Sequence, residues 1–457
     1  MSILCSTSLM AMCLFSAPSL QAQEALSLDT MLAWVMREHP MARMARVVAE
    51  RGPAQLLAAR GAYDPTLKGS FDRKDYLGTE YFQYIQGGAT WQSPYAVKVE
   101  AGREWADGVF FNPERTVPDA GQAYISVKLP LLQGLLNDKY RTDVEQGRND
   151  VDRYRAAAEV IRNNLAFDAS LAYAEWAFAK TRLAIFRDTE ELLSIYLANT
   201  RELVALGDKA AVDTVEALVY LVDQELNTQQ AAVDVNVAAQ SLAAFYFLPF
   251  AARDPLDLSR AIVAPPDIVS VTNNPELERL RRDVVDFQLE RVLKREYLKP
   301  QLDVGYSILG DGFELAPESS KVDDRNFFTR AYKVGAEFRY PLFNRSARGE
   351  VALAELKLAE AGAKLETKRQ QLLAKAQAYR DAVAAYDAQL IDVERLIQQA
   401  ENLLEAEREL FALGETTQFL LNVRAQSLQK ARLTANKLAF ARAKAILNWR
   451  QALGVWR

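Results

Sequence analysis

The residues that could do chemistry are few. The chain of 457 residues has one histidine, His39, and two cysteines, Cys5 and Cys13, both within the first 13 positions. Without that stretch no thiol remains and a single imidazole is left. A thiol nucleophile, a Cys/His metal site and a Ser–His–Asp triad with a spare histidine all become untenable. Carboxylates are plentiful, and acidic pairs such as Asp323-Asp324 occur. That pair lies in a polar stretch with Glu318, Ser319 and Ser320, which reads as a solvated surface loop. A carboxylate enzyme needs its acids in a cleft with shifted pKa values, and no such cleft is legible here. We therefore expect no enzyme, with no catalytic, cofactor-binding or metal site. Net charge is −5 with Lys and Arg spread throughout, which leaves no nucleic-acid footprint.

The chemistry being absent, the elements carry the information. Half of the residues are hydrophobic and a quarter charged, the balance of a folded chain. Residues 3–17 are small or apolar, and Pro18-Ser19-Leu20-Gln21-Ala22 closes them, so residues 1–22 read as a secretory signal cleaved near Ala22. Met10-Ala11-Met12 before Cys13 lacks the small residues of a lipid-acceptor site. Beyond this segment the longest apolar run, Ala243 to Ala252, is about ten residues and contains Pro249, too short for a transmembrane helix. Any membrane contact must then come from strands.

The chain repeats itself. Arg201-Glu202-Leu203-Val204-Ala205-Leu206-Gly207-Asp208 recurs as Arg408-Glu409-Leu410-Phe411-Ala412-Leu413-Gly414-Glu415, an offset of 207. His39-Pro40 recurs as Asn274-Pro275, and Pro65-Thr66-Leu67 as Pro300-Gln301-Leu302, an offset of 235. The chain thus divides into residues 23–265 and 266–457, two structural repeats with extra strand sequence in the first. Each has an initial helix (Pro40–Tyr63; Pro275–Lys299), then strands, then a very long helix, a glycine break and a return helix.

In Gln301–Leu309, Leu302, Val304, Tyr306 and Ile308 oppose Gln301, Asp303, Gly305 and Ser307. In Lys333–Tyr340, Val334, Ala336, Phe338 and Tyr340 oppose Lys333, Gly335, Glu337 and Arg339. Ile125, Val127 and Leu129 oppose Ser126 and Lys128. Period two of this kind suits a strand between lipid and water. The runs Arg141–Leu206 and Ser346–Leu413 contain no proline, and at 1.5 Å per residue each spans roughly 100 Å. Leu372, Ala376, Tyr379, Val383, Tyr386, Leu390, Val393, Ile397, Ala400 and Leu404 alternate spacings of four and three. Leu165 to Leu197 keep the same register, a seam for helix-on-helix packing. The return helices, Asp208–Leu248 and Glu415–Leu453, added to the initial ones, match the long helices in length. These lengths predict strands at one end and glycine turns at the other.

At this point the sequence resembles the TolC-like outer-membrane efflux proteins, over about residues 25–455. The carriers are Asn274-Pro275-Glu276-Leu277, Leu298-Lys299-Pro300-Gln301-Leu302, and the strand exits Leu129-Pro130-Leu131-Leu132 and Tyr340-Pro341-Leu342-Phe343. The turns Val204-Ala205-Leu206-Gly207…Asp213 and Leu413-Gly414…Leu420-Leu421-Asn422 complete them. The resemblance implies an all-α-dominated α+β membrane protein. It would be a homotrimer with a long antiparallel coiled-coil α-barrel in the periplasm and a transmembrane β-barrel of about four strands per protomer, twelve in all. It implies an exit duct in the outer membrane of a Gram-negative cell, serving tripartite efflux or type I secretion. Its partners would be outer-membrane lipid, a periplasmic adaptor (membrane fusion) protein and an inner-membrane transporter. The adaptor would meet the tips at Val204, Leu206, Gly207, Leu413 and Gly414. Asp213 and Asn422 would line the tunnel entrance, although the family often carries carboxylates where this chain has Leu420 and Asn422. Residues Tyr81–Phe110 are extra and suggest an additional hairpin. A coiled-coil scaffold inside the cell is the rival; it explains the seams but not the signal-like start, the strands or the repeat.

Overall fold

The computed structural model describes residues 25–110, 116–250, 254–255, 257–266, 270–311, 314–315 and 331–456. The signal-like segment and the Asp323-Asp324 stretch lie outside them. Helices α1 (Leu28–Glu38) and α2 (Pro40–Arg60) lead into strands β1 (Thr66–Tyr76), β2 (Thr79–Gln92), β3 (Lys98–Asp107) and β4 (Gln122–Pro130). Then come α3 (Lys139–Ala205), α4 (Ala211–Ala243), the short α5 (Leu258–Ala261) and α6 (Pro275–Glu296). Strands β5 (Gln301–Asp311), β6 (Glu314–Leu315) and β7 (Tyr332–Arg339) follow, and α7 (Arg345–Ala412) and α8 (Gln418–Leu453) end the chain. The order helix, strands, long helix, return helix occurs twice. Both long helices fall within two residues of their predicted bounds. Helix α1 was not anticipated; Ser27 caps it, its hydroxyl accepting from the Thr30 amide at 3.1 Å. No helix among the described residues is long and apolar enough to cross a membrane.

The residues form two compact units. One is drawn from Met1–His39, Ala166–Ala264 and Tyr379–Leu447, the other from Pro40–Leu165, Pro265–Ala378 and Asn448–Arg457. In the first unit the predicted seams are the buried faces. Ala169, Ala172, Trp176, Ala179, Leu183, Leu193 and Leu197 of α3 are buried, as are Val383, Val393 and Leu404 of α7. One cluster unites α3, α4, α7 and α8 through Leu193, Tyr196, Leu197, Ala217, Leu221, Leu404, Leu421, Ala425 and Leu428. On the same helices Gln224 of α4 donates to the Phe186 carbonyl at 2.8 Å, and Gln429 of α8 donates to Gln224 at 2.8 Å. The single histidine, His39, stacks with Phe245 and Phe247 at 5.9 and 5.7 Å, a packed aromatic.

The second unit holds the sheet. In the first repeat α2 and α3 approach at glycines, where a Cβ on Gly52 would sit 2.6 Å from the Val151 Cα and one on Gly147 3.0 Å from the Leu56 Cα. Asn149 of α3 donates to Asp286 of α6 at 2.7 Å, and Arg153 pairs with it at 2.9 Å. Burial nonetheless pushes the Asp286 carboxyl above its ordinary range.

The strands run β1-β2-β3-β4-β5, all antiparallel neighbours, with β7 on the far side of β5 and the two-residue β6 on its end. The expectation of four strands per chain is therefore corrected. Among the described residues six strands have eight residues or more, because the extra sequence of the first repeat folds as the return of one hairpin and the start of the next, β2 and β3. Leu77 and Gly78 make the β1–β2 turn at φ 51° and 77°, the left-handed pair of a tight hairpin.

The register carries each row straight across the sheet. Leu67, Ala89, Ala101, Ile125, Ile308 and Tyr332 are successive partners on one face. One residue along, Thr66, Thr90, Glu100, Ser126, Ser307 and Lys333 are successive partners on the other. Apolar and polar rows thus alternate across the six strands with the parity expected for β5 and β7, although Arg73, Gln83, Arg103 and Asp107 share the apolar face and Phe82, Tyr84 and Leu309 the polar one. The edge strands β1 and β7 are exposed along their whole lengths, whereas β2 to β5 are partly covered.

Candidate functional site

The residues that the sequence singles out gather at the two helical hairpin turns of the first unit. At the end of α3 the amide of Gly207 donates to the Val204 carbonyl at 3.0 Å, and that of Asp208 to Leu203 at 2.9 Å. At the end of α7 Gly414 donates to Phe411 at 3.0 Å, and Glu415 to Leu410 at 2.9 Å. Both are Schellman closures, in which the residue after the helix adopts the left-handed conformation and satisfies the last carbonyls. Gly207 has φ 87° and Gly414 φ 77°. A Cβ at either would meet nothing within 4 Å, so the glycines serve conformation and not space.

The leucines just before them point away from any core. Leu206 is 69% exposed and Leu413 73% exposed. Val204 is half-buried. A single exposed apolar residue is ordinary, but here one stands at the same place on each of two turns.

The return helices start differently. Helix α4 begins after Ala210, whose side chain offers no cap, and Asp213 stands in its first turn, where a carboxylate suits the positive end of the helix dipole. Helix α8 begins after Thr417, whose hydroxyl accepts from the Leu420 amide at 3.4 Å. There a polar network appears that the first turn lacks. The Thr416 hydroxyl donates to Glu407, and Arg424 donates to the same carboxylate at 3.3 Å. The Thr416 bond, with help from Arg424, holds Glu407 below the usual carboxylate range. Sequence reasoning passed over Glu407, yet the signal was there: the α7 seam continues from Leu404 to position 407, which places a charge on a packed stripe.

Asp213 and Asn422, the two expected lining residues, border one cleft of about 350 Å³ together with Lys209, Glu216, Thr416, Thr417 and Gln418. They differ in depth. Asp213 is half-buried, whereas Asn422 is 2% exposed and its Oδ1 has no hydrogen-bond partner. Both amide atoms of Gln418 are likewise buried and unpartnered. Among the described residues no group of three His, Cys, Asp or Glu could hold a metal ion.

No family model matches the chain, and no curated protein matches it in sequence. Solved structures do match in shape. The open state of the Neisseria gonorrhoeae MtrE outer membrane channel superposes with a TM-score of 0.69 at 13% identity, over 94% of this chain and 89% of that one. The Campylobacter jejuni CmeC outer membrane channel gives 0.66 at 13% identity, over 93% and 85%. The Vibrio cholerae outer membrane protein VceC gives 0.65 at 16% identity, over 93% and 96%. Long helices closed by paired glycine turns, together with a two-faced sheet, give this chain the fold of the TolC-like outer-membrane channels.

Proposed function

We propose that the chain is one of three identical subunits of an outer-membrane exit duct, passing cargo from an inner-membrane transporter and a periplasmic adaptor to the outside. The observation that carries this is the two-faced sheet. Its apolar face is open to solvent in the single chain, with Leu67 89% and Phe338 65% exposed, and the opposite face is largely polar. An apolar surface of this extent calls for a cover. Lipid outside and water inside would satisfy both faces. The sheet has two open edges, which lipid cannot satisfy, and six strands are fewer than the eight of the smallest single-chain barrels. Copies related by a cyclic axis remove the edges. The fold likeness to MtrE and CmeC, both outer membrane channels, supports the same reading.

In this reading residues 23–265 and 266–457 are two repeats of one ancestral unit, so three chains present six hairpin turns around the axis. The long helices form a tunnel in the periplasm, Asp213 lines its entrance with Asn422 buried in the adjoining cleft, and the turns at Val204, Leu206, Gly207, Leu413 and Gly414 meet the adaptor. The test is fractionation of a Gram-negative host that makes the full chain, followed by carbonate washing and cross-linking of the membranes. A trimer retained in the outer membrane is the expected result. A monomer in the soluble fraction would sink the proposal.

A further inference from the structure

The added hairpin sequence raises a question of size. Strands β2 and β3 could be an appendage folded out of the wall, which would leave four wall strands per chain and twelve in a trimer. The register argues otherwise. Ala89 and Ala101 continue the apolar row from Leu67 to Ile125, and Thr90 and Glu100 continue the polar row from Thr66 to Ser126. Away from that row the pattern largely holds, interrupted on the apolar face by Arg103 opposite Gly87, the Arg103 guanidinium lying over the Trp105 ring at 4.4 Å. Ile85 pairs with Trp105 and Trp91 with Val99 on the apolar face, and Gln86 pairs with Glu104 and Gln92 with Lys98 on the polar one. An appendage has no need to keep the two faces of its neighbours, because a one-residue slip would invert every side chain. Both strands also have the length that crosses a bilayer at a tilt, 14 and 10 residues.

We infer that the wall contains all six long strands of each chain, so that the β1 edge of one copy pairs with the β7 edge of the next and three copies close eighteen strands. The inference rests on the trimeric outer-membrane reading above. It commits the free edges to one partner, a second copy of this chain, for three reasons. Strand direction alternates along the path from β1 to β7, and six is even, so β1 and β7 are antiparallel and a neighbour's edge continues the alternation. Both edge strands are exposed along their whole lengths. Both also show the same parity, with Leu67 and Phe71 on the apolar face of β1 and Val334 and Phe338 on that of β7, so a seam between copies keeps the faces continuous.

The consequence is a wide mouth. With strands about 4.8 Å apart and tilted about 40°, opposite walls lie roughly 36 Å apart for eighteen strands, against roughly 24 Å for twelve. Eighteen is within the porin range, where a barrel leaves an aqueous channel. Polar residues such as Glu100, Ser126 and Lys333 would line it.

Two measurements decide the matter. In the first, the full chain is purified from outer membranes into lipid nanodiscs, and the wall strands are counted by electron cryomicroscopy. Eighteen in a trimer is the expected count. Twelve in a trimer, with β2 and β3 outside the wall, overturns this inference and leaves the duct intact; a soluble monomer overturns both. In the second, cysteines replace Lys68, Ser70 or Asp72 on β1 and Lys333, Gly335 or Glu337 on β7, in pairwise combination. Only Cys5 and Cys13 occur in the sequence, so the background is low. At least one combination should give disulfide-linked trimers in the membrane. Links from Glu100→Cys or Gly102→Cys on β3 to β7 of another copy, or between β1 strands of two copies, would overturn the seam.

Discussion

The two hairpin turns share a backbone and differ in side chains. Both end a helix of nearly seventy residues with a leucine, a left-handed glycine and the same pair of hydrogen bonds. Only the second anchors a buried carboxylate, Glu407, through Thr416 and Arg424. Only the first keeps an acid, Asp213, in the opening turn of the return helix. The two turns thus share what reverses the chain and differ in their polar chemistry. Reversal is a backbone problem with one cheap solution, a glycine at positive φ. Polar surroundings have many solutions, and each turn holds its own.

The largest effect should come from forcing one turn to carry the other's chemistry. Asn422→Asp places a carboxylate at a site that is 2% exposed. This should cost the second hairpin about 2–4 kcal/mol near neutral pH. The burden should shrink in acid, since burial raises the pKa and protonation relieves it. Asp213→Asn should cost at most about 0.5 kcal/mol, the size of a lost helix-dipole contact. Urea unfolding of both variants measures the contrast, and equal losses would show that the two sites do not differ in depth.

Next, Gly207→Val and Gly414→Val should each cost about 1–2 kcal/mol, the penalty of a branched side chain at positive φ. The space around both glycines is open, so the two losses should agree, and Asn at either place should cost less. A gap of more than about 1 kcal/mol between the turns, by the same unfolding assay, would break the claim of one shared backbone.

A pH series separates the turns more finely. The Glu407 pKa is lowered in the folded chain from its ordinary 4.5. A lowered acid stabilises fully above its unfolded pKa and loses that contribution as pH falls through the folded one. Protection of the amides at the second turn, relative to their intrinsic exchange rates, should therefore fall below about pH 4.5 more than at the first. Glu407→Gln should abolish the pH dependence of that difference. Its persistence in the variant would remove Glu407 from the account.

The smallest effect on stability belongs to the leucines. Leu206→Ser and Leu413→Ser should each change stability by less than about 0.5 kcal/mol, because both side chains are already exposed. Under the adaptor proposal they should nonetheless reduce export while trimers still reach the outer membrane. Wild-type export from the double variant would move adaptor contact elsewhere.

Much of this was legible in the sequence, and the misses have physical causes. The seams could be read because alternate steps of four and three leave one stripe facing a partner, and Leu372, Ala376, Val383, Val393 and Leu404 are indeed buried. The faces of β5 and β7 could be read because a period of two allows no other assignment. The return helices begin three residues later than predicted, at Ala211 and Gln418, since the turn itself consumes residues after each glycine. Helix α1 was hidden by its shortness and by the His39-Pro40 step that follows it. Strands β2 and β3 answer to the additional hairpin expected over Tyr81–Phe110, and Gly88 and Gly102 face each other across their ladder, where a Cβ would clash with backbone. The depth of Asn422 has no sequence signature, because a polar residue in the first turns of a helix reads as solvated.

The pairing of β4 with β5 sets the timetable of assembly. Strands β1 to β4 form a meander of near neighbours, whereas Ser126 and Ser307, partners whose hydroxyls meet at 2.9 Å, are 181 residues apart in the chain. Local hairpins form early, and closure of so long a loop comes late. As the polypeptide emerges from its N-terminus, the first four strands must wait for the whole of α3, α4 and α6 before β4 receives its partner. During that interval β4 is an unprotected edge, the kind that captures the wrong strand from another chain. The delay between β4 and β5 is thus the step of folding most exposed to error, and, under the outer-membrane proposal, a periplasmic holdase that shields strand edges should raise the yield of correctly paired sheet.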